Sequence, residues 1–467
     1  MSSESVAPSA PAAATAITRR VAGFIAEIDA GEPPPGAREL AELHLLDTLA
    51  SVVACRDLRA GEVARAYARA HAPGDVPVLG TPDRATLLDA AFTSAIIAHG
   101  AEINDFCPAA FVQPGPGVVS TAMCLGAARE STGRSVIRAI AAGYEIACRL
   151  PRAIGNQHLR RAGVANHSIG SLFGAATAAA GLLRFDAIQA EDLLSYCAQQ
   201  ASGSWQWMLD VEHLEKSFVF GGMAVHNGLH AALLVEAGFT GVPEALDVAG
   251  GWLHGGLRAG VDDDSLALLV DGLGQSHCLD LVGYKQFPVG GPVQPIVAGM
   301  LDLIATGEFT AADVERIRVE MPGSASTFDQ ARMPALNARY LLAVILLDGE
   351  LDFVAAQSLD RFHHDAAVRD LMERIAVVHD PSQDTEPRAE SARLTVSLRD
   401  GREIGTYVDH VRGYPSHPLD RDEVVDKARG LLRRSFDAAR TEHVIETTLG
   451  IDGLESVAPI IAAIERD

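Results

Sequence analysis

The segment at positions 216–241 constrains the fold most, because small and apolar residues recur along it at helical spacing. Gly238 near its end predicts the C-terminal stop of a helix. Side chains this small suit a helix that packs tightly against its neighbours and is not surrounded by solvent. One stripe of the predicted helix carries Ala224, Gly228, Ala231, Ala232 and Val235.

A single lysine precedes this helix in an apolar turn bounded by glycines. Lys216 is followed by Phe218, Val219 and Phe220, and then by Gly221-Gly222. Burial in such a turn disfavours the ammonium form and lowers the pKa of a lysine toward a range useful for proton transfer. The alternative interpretation is a lysine whose ammonium group reaches solvent at the start of a helix.

Composition excludes several classes of function. A formal net charge of −23 argues against nucleic-acid binding, because nothing offsets phosphate repulsion. Hydrophobic residues make up 48% and aromatic residues 5%, which favours closely packed helices. The chain lacks an apolar run of about 18 residues, so no membrane-spanning helix is expected. We therefore predict a cytoplasmic protein with a small-molecule substrate, no nucleic-acid partner and no membrane partner.

Metal and cofactor signatures are also missing from the sequence. The six cysteines form no CxxC pair, so neither a zinc site nor a disulfide framework is indicated. No GxGxxG follows a predicted strand and no GxxxxGK[ST] is present. We expect no metal and no cofactor.

The order of elements predicts a mainly α protein. Residues 1–15 are of low complexity and are predicted to be disordered. Helical patterns fill 16–270 and return at 411–467, and Asp47 is expected on the surface of one of these helices. Strand-like pieces at 314–321, 374–379, 393–398 and 403–408, the last two flanking a hairpin signal at Asp400-Gly401, fall within 271–410. This pattern predicts a large all-helical domain (16–270 plus 411–467) with a smaller inserted α+β lid domain (271–410).

A polar loop at 101–117 joins two apolar helices. Its side chains Glu102, Asn104, Asp105 and Gln113 indicate either a capping loop or a binding and catalytic loop on a rigid helical base. His167 opens another helix, where the positive end of the helix dipole favours neutral imidazole and hence a possible base. The alternative interpretation is a structural histidine whose ring nitrogens are hydrogen-bonded to the backbone.

Six motifs in order resemble one known family. They are HGAEIND at 99–105, HSIGSLFGAA at 167–176, the Lys216 stretch, YKQFPVGGPVQPI at 284–296, NARYLLAVILLDG at 337–349 and GYPSHPLDRDEVVDKAR at 413–429. Together they resemble the MmgE/PrpD family, which includes 2-methylcitrate dehydratase, cis-aconitate decarboxylase and iminodisuccinate epimerase. The resemblance implies the helical-domain-plus-lid fold, a homodimer, and a cofactor-free site between the two domains.

The resemblance also implies roles for individual residues. His167, Lys216 and Tyr340 match positions typical of family sites, and Glu102 and Asp105 lie in the family's acidic loop. These five are the predicted catalytic residues. The predicted substrate-binding residues are Asn104, Gln113, Lys285 and Gln294.

The chain departs from the family pattern where imidazoles or a basic group are usual. Gln113, Gly290 and Gln294 replace histidines, and Ser217 replaces a basic residue. Amides do not titrate, and a site poor in cations suits a di- or tricarboxylate badly. We therefore expect a substrate other than 2-methylcitrate or cis-aconitate.

The predicted reaction is proton transfer next to a carboxyl-type group on a small organic substrate. A cofactor-independent lyase of the dehydratase or decarboxylase type is the first hypothesis. An isomerase or epimerase of the same family is the alternative, because it needs only two opposed proton donors. A non-catalytic member that kept the cleft for binding is the second alternative.

Overall fold

The computed structural model describes residues 17–248, 250–253, 263–323, 325–384 and 390–466. The predicted disordered segment at 1–15 lies outside these residues. Within them the protein is mainly helical, as predicted, and a small sheet supplies the α+β part.

The helices and strands follow the periodicities of the sequence. The helices are α1 (Ile17–Ala26), α2 (Ala37–Cys55), α3 (Arg59–His71), α4 (Leu87–Ala98), α5 (Pro114–Ala128), α6 (Gly133–Ile154), α7 (Asn156–Arg161), α8 (Asn166–Leu183), α9 (Ala187–Gln200), α10 (Leu214–Ser217), α11 (Met223–Glu236), α12 (Asp263–Ala267), α13 (Gln294–Ala305), α14 (Ala325–Asp329), α15 (Ala338–Asp348), α16 (Leu359–His364), α17 (Ala366–Glu373), α18 (Arg421–Leu432), α19 (Ala438–Leu449) and α20 (Ala458–Ile464). The strands are β1 (Val76–Pro77), β2 (Arg84–Ala85), β3 (Val314–Met321), β4 (Ile375–His379), β5 (Ala392–Leu398) and β6 (Glu403–Val408).

A first hydrophobic cluster, here called the helical core, joins α1 to α9 and α11 with the C-terminal helices. Its centre is α8, which packs against α5, α6 and α11. A Cβ atom on Gly174 of α8 would lie 2.7 Å from the carbonyl oxygen of Gly143 of α6. Because real Cβ contacts are not this short, glycine is required for the two helices to approach so closely. The small-residue pattern of the sequence thus has a direct packing reason.

The C-terminal helices pack on the N-terminal ones, since α18 and α19 both contact α2. Lys427 of α18 places its Nζ 2.6 Å from Oδ1 of Asp47, which is fully buried. The expectation that Asp47 lies on the surface is therefore wrong: burial beside an ammonium group gives this mid-helix aspartate its partner. The Lys427 ammonium also donates to the carbonyl oxygen of Ile103 at 2.8 Å, so α18 braces the 101–117 loop.

A second cluster, here called the sheet core, contains buried residues between Val289 and Leu398. Its sheet has the order β4-β3-β5-β6, with β3 parallel to β4 and antiparallel to β5. Strand β5 alternates buried and more exposed residues, as expected where one face packs on helices. The hairpin predicted at Asp400-Gly401 is confirmed, because β5 and β6 pair antiparallel across it. The domain boundaries at 270/271 and 410/411 stay a prediction.

The segment Leu214–Glu236, which runs through α10 and α11, is long and apolar enough to span a membrane by length and composition. Of its most apolar window, 61% is buried inside the protein. Because helices at the centre of a protein pass the same test, this segment is typical of a core helix. Helix α11 ends at Glu236 and Gly238 has a φ of 96°, so the predicted stop is confirmed.

Candidate active site

The site is built around Glu102, which follows α4 in the 101–117 loop. Its side chain is 1% exposed and its backbone has a φ of 56°, in the left-handed region that side-chain-bearing residues rarely adopt. Such strain persists where the surrounding structure enforces it, and it concentrates at functional sites. The loop therefore holds a carboxylate in a buried position at a conformational cost.

Two lysines converge on this carboxylate. Lys216 Nζ lies 2.7 Å from Oε1 of Glu102, and Lys285 Nζ lies 3.4 Å from Oε2. Both lysines are at most 3% exposed. Lys216 comes from α10 and Lys285 from the segment after the helical core, so the loop, the helix and the segment meet at one point.

Burial and charge shift the pKa values of this cluster in opposite directions. Burial alone raises the pKa of Glu102, but the charges of Lys216 and Lys285 outweigh it and hold the pKa well below 4.5. Burial lowers the pKa of Lys285 to about 8, an effect that the charge of Glu102 opposes and that of Lys216 assists. Lys285 can therefore exchange a proton near neutral pH, while Glu102 stays ionised.

Two histidines complete the surroundings of Glu102. His213 places Nε2 at 2.9 Å from Oε1 of Glu102 and Nδ1 at 3.0 Å from the carbonyl oxygen of Gly100. Both partners are acceptors, and a ring N–H can donate to either of them. His99 Nε2 lies 3.3 Å from the same Oε1, and burial holds the pKa of His99 well below 6.5. Two ammonium groups and two imidazole rings therefore surround one carboxylate.

A π-helical turn at Phe218–Gly222 places an aromatic wall beside the lysine. The Phe220 ring stacks on His167 with ring centroids 3.8 Å apart, and it is nearly perpendicular to the Trp207 ring. Lys216 Nζ lies 5.0 Å from the ring centroids of both Phe220 and Trp207, which adds cation–π attraction. His167 and Lys216 thus face the same aromatic ring.

The turn fits because Gly221 lacks a side chain. A Cβ atom at Gly221 would lie 2.5 Å from the carbonyl oxygen of Ala95 in α4. The backbone amide of Lys216 is fixed from the other side, since it donates to Asp210 Oδ2 at 2.9 Å. The glycine-bounded turn predicted from the sequence is therefore a close contact with α4.

A cavity of about 1070 Å³ opens next to this cluster, and residues of both the helical core and the sheet core line it. Among the predicted site residues it brings together Glu102, Gln113, His167, Lys216 and Lys285. The alternative in which Lys216 reaches solvent at a helix start does not hold, because this side chain is 3% exposed and bonded to Glu102.

Asp105 and Asn104 are not among the residues that line the cavity. The Asp105 carboxylate accepts the Tyr144 hydroxyl at 2.6 Å and the Gly115 amide at 3.1 Å, at the start of α5. Asn104 donates to Gln113 Oε1 at 2.9 Å. The structure does not bring Asp105 and Asn104 to the cavity lining, and their catalytic and substrate-binding roles stay predictions. The capping interpretation of the loop describes Asp105 better.

Tyr340 and Gln294 also lie outside the cavity lining. The Tyr340 hydroxyl donates toward the carbonyl oxygens of Ala355 at 2.6 Å and Ser358 at 3.2 Å, and burial raises its pKa to about 12. Gln294 is fully buried and bonds the backbone of Phe287 and Val289. The expectation that Tyr340 joins His167 and Lys216 in one cleft is therefore wrong, because α15 turns it into the sheet core.

Sequence reasoning missed His99, His213 and Trp207 as members of the site. Both histidines lie three residues before a site residue, His99 before Glu102 and His213 before Lys216. In a helix that spacing puts two side chains on one face, and it is the signal that the sequence offers, although Glu102 and His213 have left-handed backbones here.

The donor atoms of His99, Glu102 and His213 lie within 4.8 Å of one another, as metal ligands would. Lys216 and Lys285 already bind the same carboxylate. Two ammonium groups repel a divalent cation at this distance, so the donor set fits a charge cluster better than a metal centre.

Comparison with known proteins adds independent information. The family model for the MmgE/PrpD N-terminal domain matches residues 19–259, and that for the MmgE/PrpD C-terminal domain matches residues 287–451. A curated protein of Aspergillus oryzae, described as the cis-aconitate decarboxylase-like protein oryM, is 24% identical over 495 aligned residues, which cover 97% of this chain and 98% of that protein.

Proposed function

Because the chain belongs to the MmgE/PrpD family, we propose that it is a cofactor-independent lyase that moves a proton at a carbon next to a carboxylate. The observation that carries this proposal is the contact of Lys216 and Lys285 with one buried carboxylate, Glu102, at the wall of a cavity. The substrate is a small organic acid, and the reaction is dehydration or decarboxylation.

Lys285 is the proposed acid–base group. With a pKa of about 8, about a tenth of it is neutral at pH 7 and able to accept a proton. Lys285 Nζ lies 3.4 Å from the Glu102 carboxylate, which is farther than Lys216 Nζ at 2.7 Å. A neutral amine next to the acidic carbon takes the proton, and the resulting ammonium is stabilised by the Glu102 charge.

Lys216 is the proposed electrostatic stabiliser. Removal of the proton next to a carboxylate builds negative charge on the carboxylate oxygens. An ammonium group held by Glu102 at 2.7 Å and by two aromatic rings is oriented before the reaction begins. His167, across the Phe220 ring, supplies a second proton-transfer group for the leaving group or for the opposite face of the substrate.

The test is incubation with a panel of small hydroxy acids and unsaturated acids in deuterated water, followed by proton NMR. Net product supports the lyase: a decarboxylated or hydrated product carries deuterium on carbon, whereas a dehydrated product has lost the proton to the solvent. Deuterium exchange without net product supports the isomerase alternative instead. Binding with neither exchange nor product contradicts enzymatic proton transfer and favours a binding protein.

A further inference from the structure

Three of the six cysteines lie around one face of α6. Cys148 belongs to α6 itself, three residues after Glu145 and four residues before Arg152, so these side chains share a face of the helix. The backbone amide of Cys278 donates to Glu145 Oε2 at 2.6 Å, and Cys278 Sγ lies 3.5 Å from Arg152 Nη1. Cys278 therefore lies over the turns of α6 that carry Cys148.

The third thiol, Cys107, comes from a turn in the polar loop after α4. The Cys107 amide donates to the Val112 carbonyl oxygen at 2.8 Å, which closes the turn. This turn and α6 meet at Gly170 of α8, where a Cβ atom would lie 2.6 Å from the Ala147 carbonyl oxygen and 2.9 Å from Val112 Cγ2. The turn therefore packs beside the residue that precedes Cys148.

A hydrogen bond between Cys148 and Cys107 makes the two thiols chemically different. It lowers the pKa of Cys107 below the usual 9.0 and, together with burial, raises the pKa of Cys148 well above it. Burial opposes the fall in the pKa of Cys107, whereas the Ala110 amide and the Arg152 charge assist it. Because the thiolate is the nucleophile, Cys107 is the attacking thiol of the pair.

Access also separates Cys107 from the other cysteines. All six cysteines fall within the described part of the chain, and Cys107 is the one that lines the same cavity as Glu102. Burial raises the pKa of Cys124 and Cys278 to about 12, so both thiols stay protonated near neutral pH. A small oxidant that enters the cavity therefore meets a reactive thiol with a second thiol behind it.

We propose that Cys107 and Cys148 form a peroxide-reactive thiol pair, a modification site at the wall of the cavity that does not depend on the proposed reaction. Hydrogen peroxide is the oxidant, and the product is a disulfide that ties the polar loop to α6. Low-pKa, accessible cysteines that stand next to a second thiol are the ones that react in this way.

The oxidation takes two steps. In the first, the Cys107 thiolate attacks one oxygen of hydrogen peroxide: an S–O bond forms, the O–O bond breaks, and the leaving hydroxide takes a proton to become water. In the second, the Cys148 sulfur attacks the sulfur of the sulfenic acid: the S–S bond forms, the S–O bond breaks, and hydroxide leaves with the Cys148 proton as a second water. Two electrons pass from the two thiols to the peroxide.

Mass spectrometry of the purified protein tests the pair. The reduced protein is exposed to hydrogen peroxide, the remaining thiols are alkylated, and the peptides are mapped without reduction. We expect a disulfide between Cys107 and Cys148 to form at least about 10-fold faster than any oxidation of Cys124 or Cys197, and dithiothreitol to remove it. Oxidation of Cys107 no faster than that of Cys124, or a disulfide from Cys107 to Cys278, overturns the proposal.

Two variants identify the attacking thiol. Folded Cys148→Ala lacks the second thiol, so dimedone should label the sulfenic acid of Cys107, and an unlabelled Cys107 there contradicts its role. Cys124→Ala, which changes a fully buried cysteine of α5, is the matched control and should form the disulfide as the wild type does. The wild-type measurement needs no substitution, so it decides the proposal even if Cys148→Ala does not fold.

Discussion

The ammonium nitrogen of Lys216 lies 2.7 Å from Oε1 of Glu102, and both side chains are withdrawn from solvent. A single buried carboxylate thereby organises two lysines and two histidines at the wall of the cavity. Burial of these charges is costly, and the arrangement persists because both ammonium groups pair with the Glu102 carboxylate. This interdependence leads to testable consequences for stability and for activity.

Glu102→Gln should destabilise the protein by about 3–5 kcal/mol, because it leaves Lys216 and Lys285 buried without their counter-charge. The folded pKa of Glu102 is depressed, so its contribution is present above its ordinary pKa of 4.5 and is lost as pH falls through the folded value. Urea unfolding at pH 7 measures the loss. Glu446→Gln, at an exposed position of α19, is the control and should change stability little. Equal stability of the two variants would refute the charge cluster.

Gly221→Ala should destabilise the protein by about 1–3 kcal/mol and reduce activity, because the new methyl group meets the Ala95 carbonyl oxygen. The matched control is Gly430→Ala in α18, where a Cβ atom would find nothing within 4 Å. That change should stabilise by about 0.5–1 kcal/mol through helix propensity. Thermal unfolding of both variants provides the comparison, and a stable, fully active Gly221→Ala would show that the turn tolerates a side chain.

Tyr340→Phe should lower stability by about 1 kcal/mol, since it removes the hydrogen bonds to Ala355 and Ser358. Turnover should stay within about twofold of the wild type, because the hydroxyl lies in the sheet core and not at the cavity. Steady-state kinetics and denaturant unfolding distinguish the two effects. A loss of about 100-fold in kcat with unchanged stability would restore Tyr340 as a proton donor.

Turnover of 2-methylcitrate and cis-aconitate should be far below the roughly 1–1,000 per second common among enzymes. Gln113 at the cavity cannot transfer protons. A side chain at Gly290 would place its Cβ 2.4 Å from Leu336 Cδ2, so a histidine fits there only if Leu336 moves. Coupled assays with each purified acid test this directly. Ordinary rates with either acid would mean that other residues supply the missing imidazoles.

The sequence predicted the architecture well, because small-residue periodicity and strand alternation are local signals. Strands β3 and β6 occupy the predicted residues, and the hairpin between β5 and β6 was marked by Asp400-Gly401. Asp47 was misplaced, since its partner Lys427 is 380 residues away and no local pattern links them. Pairings of this kind depend on the folded chain and cannot be derived from spacing.

The site was predicted in part. Glu102, His167 and Lys216 meet at the cavity, whereas Tyr340 and Asp105 do not. Motif resemblance identifies a position but not the direction in which its side chain points, which is decided by helix packing. The sequence did not identify His99 and His213 as neighbours of Glu102, because a histidine next to a helix end often has a purely structural role.

The pH dependence of proton exchange in wild type and Lys285→Arg tests the central claim most directly. Deuterium exchange at the carbon next to the substrate carboxylate, followed by NMR, should rise about tenfold per pH unit up to a pKa of about 8 and then level off. Lys285→Arg keeps a positive charge beside Glu102 but cannot lose its proton, so exchange should fall by about 100-fold or more. An unchanged exchange rate and pH profile in Lys285→Arg would contradict the account.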